Sequence, residues 1–129
     1  MDYGYKKQLN VSFQKAIESV REALKKEGFG VLTEIDVQTT LKAKLDVDID
    51  RYTILGACNP PFAYKALQAE QDIGLLLPCN VIVYESEGKS YVSAILPTVA
   101  MNKVDNKELA PIAEEVEEKL KAAIDNLQV

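Results

Sequence analysis

Asn80-Val81-Ile82-Val83-Tyr84-Glu85 and Lys89-Ser90-Tyr91-Val92-Ser93-Ala94-Ile95-Leu96 are two runs rich in β-branched and aromatic residues, joined by Ser86-Glu87-Gly88. Two such runs around a short loop containing glycine read as a β-hairpin. Both faces of each run are largely apolar. The same is true of Arg51 to Cys58, where Tyr52, Ile54 and Cys58 oppose Leu55 and Ala57. A sheet wet on one side would alternate apolar and polar residues, so these strands predict a sheet covered on both faces.

Outward from the hairpin, Tyr3 to Leu9 reads as a first strand, with Tyr3 and Tyr5 on one face and Lys6 and Gln8 on the other. Ser12 suits an N-cap, and Phe13, Ala16, Ile17, Val20 and Leu24 follow at helical spacing until Gly28 supplies a stop. Phe29 to Val37 alternates as a strand, with Phe29, Val31, Ile35 and Val37 on one face. Thr39 to Leu45 is a short helix. Asn59-Pro60-Pro61 opens a helix that reaches about Gln71, with Gly74 to Leu77 completing the crossover. An irregular stretch follows Pro97, and a last helix runs from about Glu108 to Asn126. Its stripe is Leu109, Ile112, Val116, Leu120, Ile124 and Leu127. The helices at 13–27 and 108–126 cover one face of an α+β, antiparallel sheet of about five strands. The other face needs the 60–71 helix, a second subunit, or both.

The 129 residues fit a single domain, 1–129. A 47% hydrophobic and 27% charged composition is that of a globular chain. Fifteen Lys and Arg against twenty Asp and Glu give a net charge of −5, which argues against nucleic acid, whose phosphates call for cationic surface. The first residues, MDYGYKKQL, hold no apolar export segment, and no window has the length of a membrane span. With Cys58 and Cys79 the only cysteines, the expected setting is a reduced cytoplasm.

The sequence contains no histidine, which excludes Ser-His-Asp, Cys-His and HExxH chemistry. Any general acid or base must be a carboxylate, Lys, Tyr or Cys. Asp46, Asp48 and Asp50 lack the glycine and closing glutamate of a calcium loop and read as a solvated turn. Neither GxxxxGK[ST] nor GxGxxG is present, and the sequence implies no cofactor and no metal site.

The most informative segment is Gly56-Ala57-Cys58-Asn59-Pro60-Pro61, where a strand end meets a helix start. Cys58 beside a helix N-terminus is placed to be a stabilised thiolate, or simply a small buried hydrophobe. Cys79 opens the next strand, and the two thiols meet only if the strands are antiparallel. Pro60 and Pro61 remove two amides that an anion cradle would use. Cys58, Asn59, Tyr64 and Cys79 are therefore the candidate ligand or thiol site.

Three blocks carry a resemblance: Gly28-Phe29-Gly30-Val31-Leu32-Thr33-Glu34-Ile35-Asp36-Val37, then Ile54-Leu55-Gly56-Ala57-Cys58-Asn59-Pro60, then Leu76-Leu77-Pro78-Cys79-Asn80-Val81-Ile82-Val83-Tyr84-Glu85. In this order they resemble the family called domain of unknown function 302, with Pro61 extending its usual single proline. The resemblance implies a β-α-β-β-β-β-α arrangement of the TATA-binding-protein-like kind, antiparallel neighbours for the two cysteine-bearing strands, and dimers. It supplies no catalytic set. The leading expectation is a non-enzymatic or accessory dimeric module binding a small-molecule ligand near Cys58, Asn59, Tyr64 and Cys79. The alternatives are a thiol-based redox or sulfur-handling protein using Cys58 and Cys79, and a structural partner that docks through an apolar sheet face.

Overall fold

Ser12 accepts a hydrogen bond from the Lys15 amide at 3.2 Å and caps α1 (Phe13–Lys26), whose Phe13, Ala16, Ile17, Val20 and Leu24 are all buried. Gly28, at φ 88°, turns the chain out of the helix, so that the Gly28 and Phe29 amides return to the Lys25 and Leu24 carbonyls at 3.0 Å each. The computed structural model describes residues 2–128. Around α1 the strands are β1 (Gly4–Leu9), β2 (Gly30–Asp36), β3 (Tyr52–Cys58), β4 (Cys79–Ser86) and β5 (Lys89–Ile95). The other helices are α2 (Val37–Leu45), α3 (Pro60–Ala69), α4 (Pro97–Ala100) and α5 (Leu109–Asp125), with a 3₁₀ turn at Gln71–Leu76.

The strands form one sheet in the order β1-β5-β4-β3-β2, antiparallel throughout. The α+β, antiparallel five-stranded expectation is therefore met. Ser86 pairs with Lys89, so the hairpin loop is Glu87-Gly88 alone, both residues at positive φ. That is the twist-matched two-residue turn, and it explains the glycine there.

Leu55, Ala57, Val81, Val83, Val92 and Ala94 face the helices and are buried in one cluster with the α1 stripe and Val116, Leu120, Ala123 and Ile124 of α5. Tyr5 also reaches α5, donating to Asp125 at 2.7 Å, a bond that together with burial and the negative charge raises its pKa.

The opposite face carries a ladder of tyrosines. Tyr52, Tyr84 and Tyr91 stand on adjacent strands with ring centroids 5.5 and 5.3 Å apart and nearly parallel planes. Lys6 lies 5.5 Å from the Tyr84 ring centre, and its ammonium is held protonated by Tyr84. Ile54 and Ile82 extend this surface, half-buried.

Several expectations need correction. The 60–71 helix does not lie across the tyrosine face. Its Phe62 packs against the helix-side core, and its Ala66 joins Leu109 of α5 and Ile73 in a second cluster. The alternation of 29–37 does not put Phe29, Val31 and Ile35 together. Partners jump between Val31 and Thr33, and this bulge sends Ile35 to the tyrosine face, opposite Ile54. Val37 belongs to α2, which starts two residues earlier than the spacing indicates because Asp36 accepts from the Thr39 amide and caps it. The stretch after Pro97 begins as the short helix α4 and is irregular only from Met101 to Glu108.

Candidate functional site

β3 reaches its end under pressure from two neighbours. A Cβ on Gly56 would stand 2.1 Å from Thr33 Oγ1 and 2.8 Å from Pro78 Cγ, so only glycine lets these three segments close together. Asn59 then opens α3, but its side chain does not cap that helix. Instead Nδ2 donates to the Glu27 carbonyl at 3.1 Å, tying the start of α3 to the end of α1. Pro60 and Pro61 occupy the first turn, where free amides are normally left over.

Cys79 sits opposite Ala57 in the β3–β4 ladder, so Cys58 and Cys79 lie at the same end of the sheet. Antiparallel spacing puts their Cα atoms roughly 6 Å apart. Their side chains are another matter. Alternation along β3 turns Cys58 away from the face that Ala57 and Cys79 share. Both thiols are free. Burial, with a smaller contribution from Cys58, pushes the Cys79 thiol up to about 11.

Between this sheet end and α3, α4 and α5 lies a cavity of about 290 Å³. Phe29, Ala57 and Cys79 border it from the sheet side, Phe62 and Ala66 from α3, and Ala113 and Val116 from α5. Cys58 and Asn59 also line it. Tyr64 does not: it stands 65% exposed on the outer surface of α3. Of the four candidate residues, the fold therefore brings three to one cavity and leaves the fourth outside.

The family model described as Domain of unknown function DUF302 matches residues 5–127. The chain belongs to this family. It is similar to the uncharacterized conserved protein DUF302 from Bacillus stearothermophilus, whose crystal structure shares 30% sequence identity with it at a TM-score of 0.93. That likeness covers 99% of this chain and 100% of the other. No curated protein matches the chain.

In this DUF302 chain the wall formed by α4 escaped sequence reasoning. Pro97 and Met101 line the cavity, and α4 is held by Glu117 of α5, which accepts from the Thr98 amide at 3.1 Å and the Thr98 hydroxyl at 2.7 Å. The readable signal was Pro97 followed by Thr98, a helix start of the proline-at-N1 kind. Leu32, thrown out of register by the β2 bulge, and Leu67 of α3 line the cavity while remaining 67% and 44% exposed, which gives it an apolar rim.

Chemically the lining is sparse. Asn59 is its one amide residue, Cys58 and Cys79 are its only other polar residues, and no carboxylate, lysine or tyrosine is among them. The arrangement can exclude water from an apolar guest and offer it very few hydrogen bonds. Among the described residues, no helix is long and apolar enough to cross a membrane.

Proposed function

We propose that this DUF302 protein is a non-enzymatic binding module that holds a small apolar molecule beside Cys58, Asn59 and Cys79 and works as a homodimer. The observation that carries the reading is the 290 Å³ cavity, at the small end of the roughly 300–1,000 Å³ of ligand pockets, with an almost wholly apolar lining. Tyr64 precedes Leu67 by one turn of α3 and so belongs to the outer rim rather than the interior. The dimer rests on the tyrosine face, where Tyr52, Tyr84, Tyr91, Ile54 and Ile82 form a half-buried apolar surface on the side of the sheet opposite the α1 and α5 core. A two-fold pairing of that surface buries it most simply.

Two observations favour binding over thiol chemistry at the same turn. A thiol with its pKa raised to about 11 is neutral near pH 7, and a neutral thiol is a poor nucleophile. The out-of-step register also turns the two side chains apart.

The test is an NMR titration with toluene, following the methyl groups of Ile112 and Val116. Shifts that saturate in the native chain and vanish in Ala63→Phe, which fills the cavity from α3, support the reading. Toluene that leaves both methyls unmoved removes it.

A further inference from the structure

We infer that the cavity's natural occupant is a neutral, slender apolar chain ending in a hydrogen-bond donor, a hydroxyl or an amide N–H, which Asn59 Oδ1 accepts. This rests on the binding reading above and adds the chemical class of the ligand.

The Glu27 carbonyl can only accept, so it fixes the amide orientation: Nδ2 points to it, and Oδ1 is the end left over. Oδ1 has no hydrogen-bond partner among the described residues. It is not sealed off either, because no buried side-chain oxygen or nitrogen there lacks a partner. The residue as a whole is only 8% exposed, and it lines the cavity. A side chain anchored at one end, largely buried, and keeping an open acceptor at the other is a built recognition element. A carboxyl of its own would repel an anionic guest, and a lysine would invite one; the lining has neither.

Charge is thereby selected against, since a carboxylate or ammonium in such a cavity has no partner to offset its lost hydration. A guest without a donor leaves Oδ1 unsatisfied once water has been displaced. Length follows from volume. About ten heavy atoms fill the space if each takes about 30 Å³, the share of a water in the liquid.

The experiment is the same methyl-detected titration with three matched probes: 1-octanol, its methyl ether, and octanoate at pH 7. The expected order is octanol first, binding at least about fivefold tighter than the ether, the step that one hydrogen bond supplies. Octanoate falls at least about tenfold below octanol. Asn59→Ala lowers octanol affinity to that of the ether and leaves the ether unchanged. Ether or octanoate binding within twofold of octanol overturns the inference while leaving the binding reading intact. If none of the three moves the Ile112 and Val116 methyls, both fall. The octanol-to-ether comparison on the unaltered chain decides the matter even if Asn59→Ala does not fold.

Discussion

Cys79 stands directly across from Ala57 in the β3–β4 ladder, which leaves Cys58 one residue out of step with it. The Cα atoms are neighbours, but the one-residue offset points the two side chains in different directions at this end of the sheet. An intramolecular disulfide would require the backbone to move. Mild oxidation should therefore leave two alkylatable thiols per chain, with half-buried Cys58 modified faster than buried Cys79. Mass spectrometry showing an intramolecular disulfide after such treatment would overturn this geometry.

The raised pKa of Cys79 ties stability to alkaline pH. Its value in the unfolded chain is the ordinary 9.0, and in the folded chain it is about 11, so below pH 9 both states hold the proton. Between about 9 and 11 the unfolded chain releases it first, and stability falls as pH rises. The loss attributable to this thiol is about 2–3 kcal/mol across that interval. Tyr5 and Tyr52, also raised, add to the decline toward its upper end. Denaturant melts from pH 8 to 11 should be flatter for Cys79→Ala than for the native chain. Cys79→Ser should instead lower stability at pH 7 by about 1–3 kcal/mol, because a hydroxyl is buried in place of a thiol.

Gly56→Ala should destabilise the fold by about 1–3 kcal/mol, because its methyl enters space already held by Thr33 and Pro78. Gly74→Ala is the control. Nothing lies within 4 Å of a Cβ there, and the change should stay within about 0.5 kcal/mol. Equal midpoints for the two variants in urea would remove the steric argument.

Glu117 anchors α4, and with it one wall of the cavity. Glu117→Ala removes the acceptor of both Thr98 bonds and should cost about 1–2 kcal/mol. Glu117→Gln keeps a carbonyl there and should cost less. Hydrogen exchange at the Thr98 amide should accelerate in the alanine variant, and an unchanged rate would show that α4 holds itself.

If the tyrosine face is the dimer interface, Ile82→Lys should shift light-scattering mass from twice 14.3 kDa to that of one chain. The substitution lies on the side of the sheet opposite the α1 and α5 core, so the monomer should keep its circular dichroism. A native chain that already scatters as a monomer at micromolar concentration eliminates the dimer.

Local chemistry determined much of this in advance. Ser12 and Gly28 bound α1 because capping needs only a side chain and a permissive φ at fixed offsets from the helix itself. The hairpin of β4 and β5 was legible for the same reason: turn and partners lie within a few residues of one another. The antiparallel relation of β3 and β4 was legible only through family resemblance, since a crossover of this length permits either direction.

What the tertiary structure alone decided is everything that depends on a partner distant in sequence. The bulge at Leu32 reverses the face of Ile35, and no periodicity announces it, because the extra residue is fixed by pairing with Gly56 and Ala57. Tyr64 was a reasonable candidate beside Asn59, yet helix rotation, set by Phe62 and Ala66 finding the core, carries it out into solvent. Asn59 itself is legible in the sequence only as part of a helix opening. Its true partner is a carbonyl 32 residues earlier, reached only when the end of α1 is packed against the start of α3. The cavity follows the same rule. Its walls come from five separated stretches of chain, and an empty volume between them is a property of their packing, which no single stretch encodes.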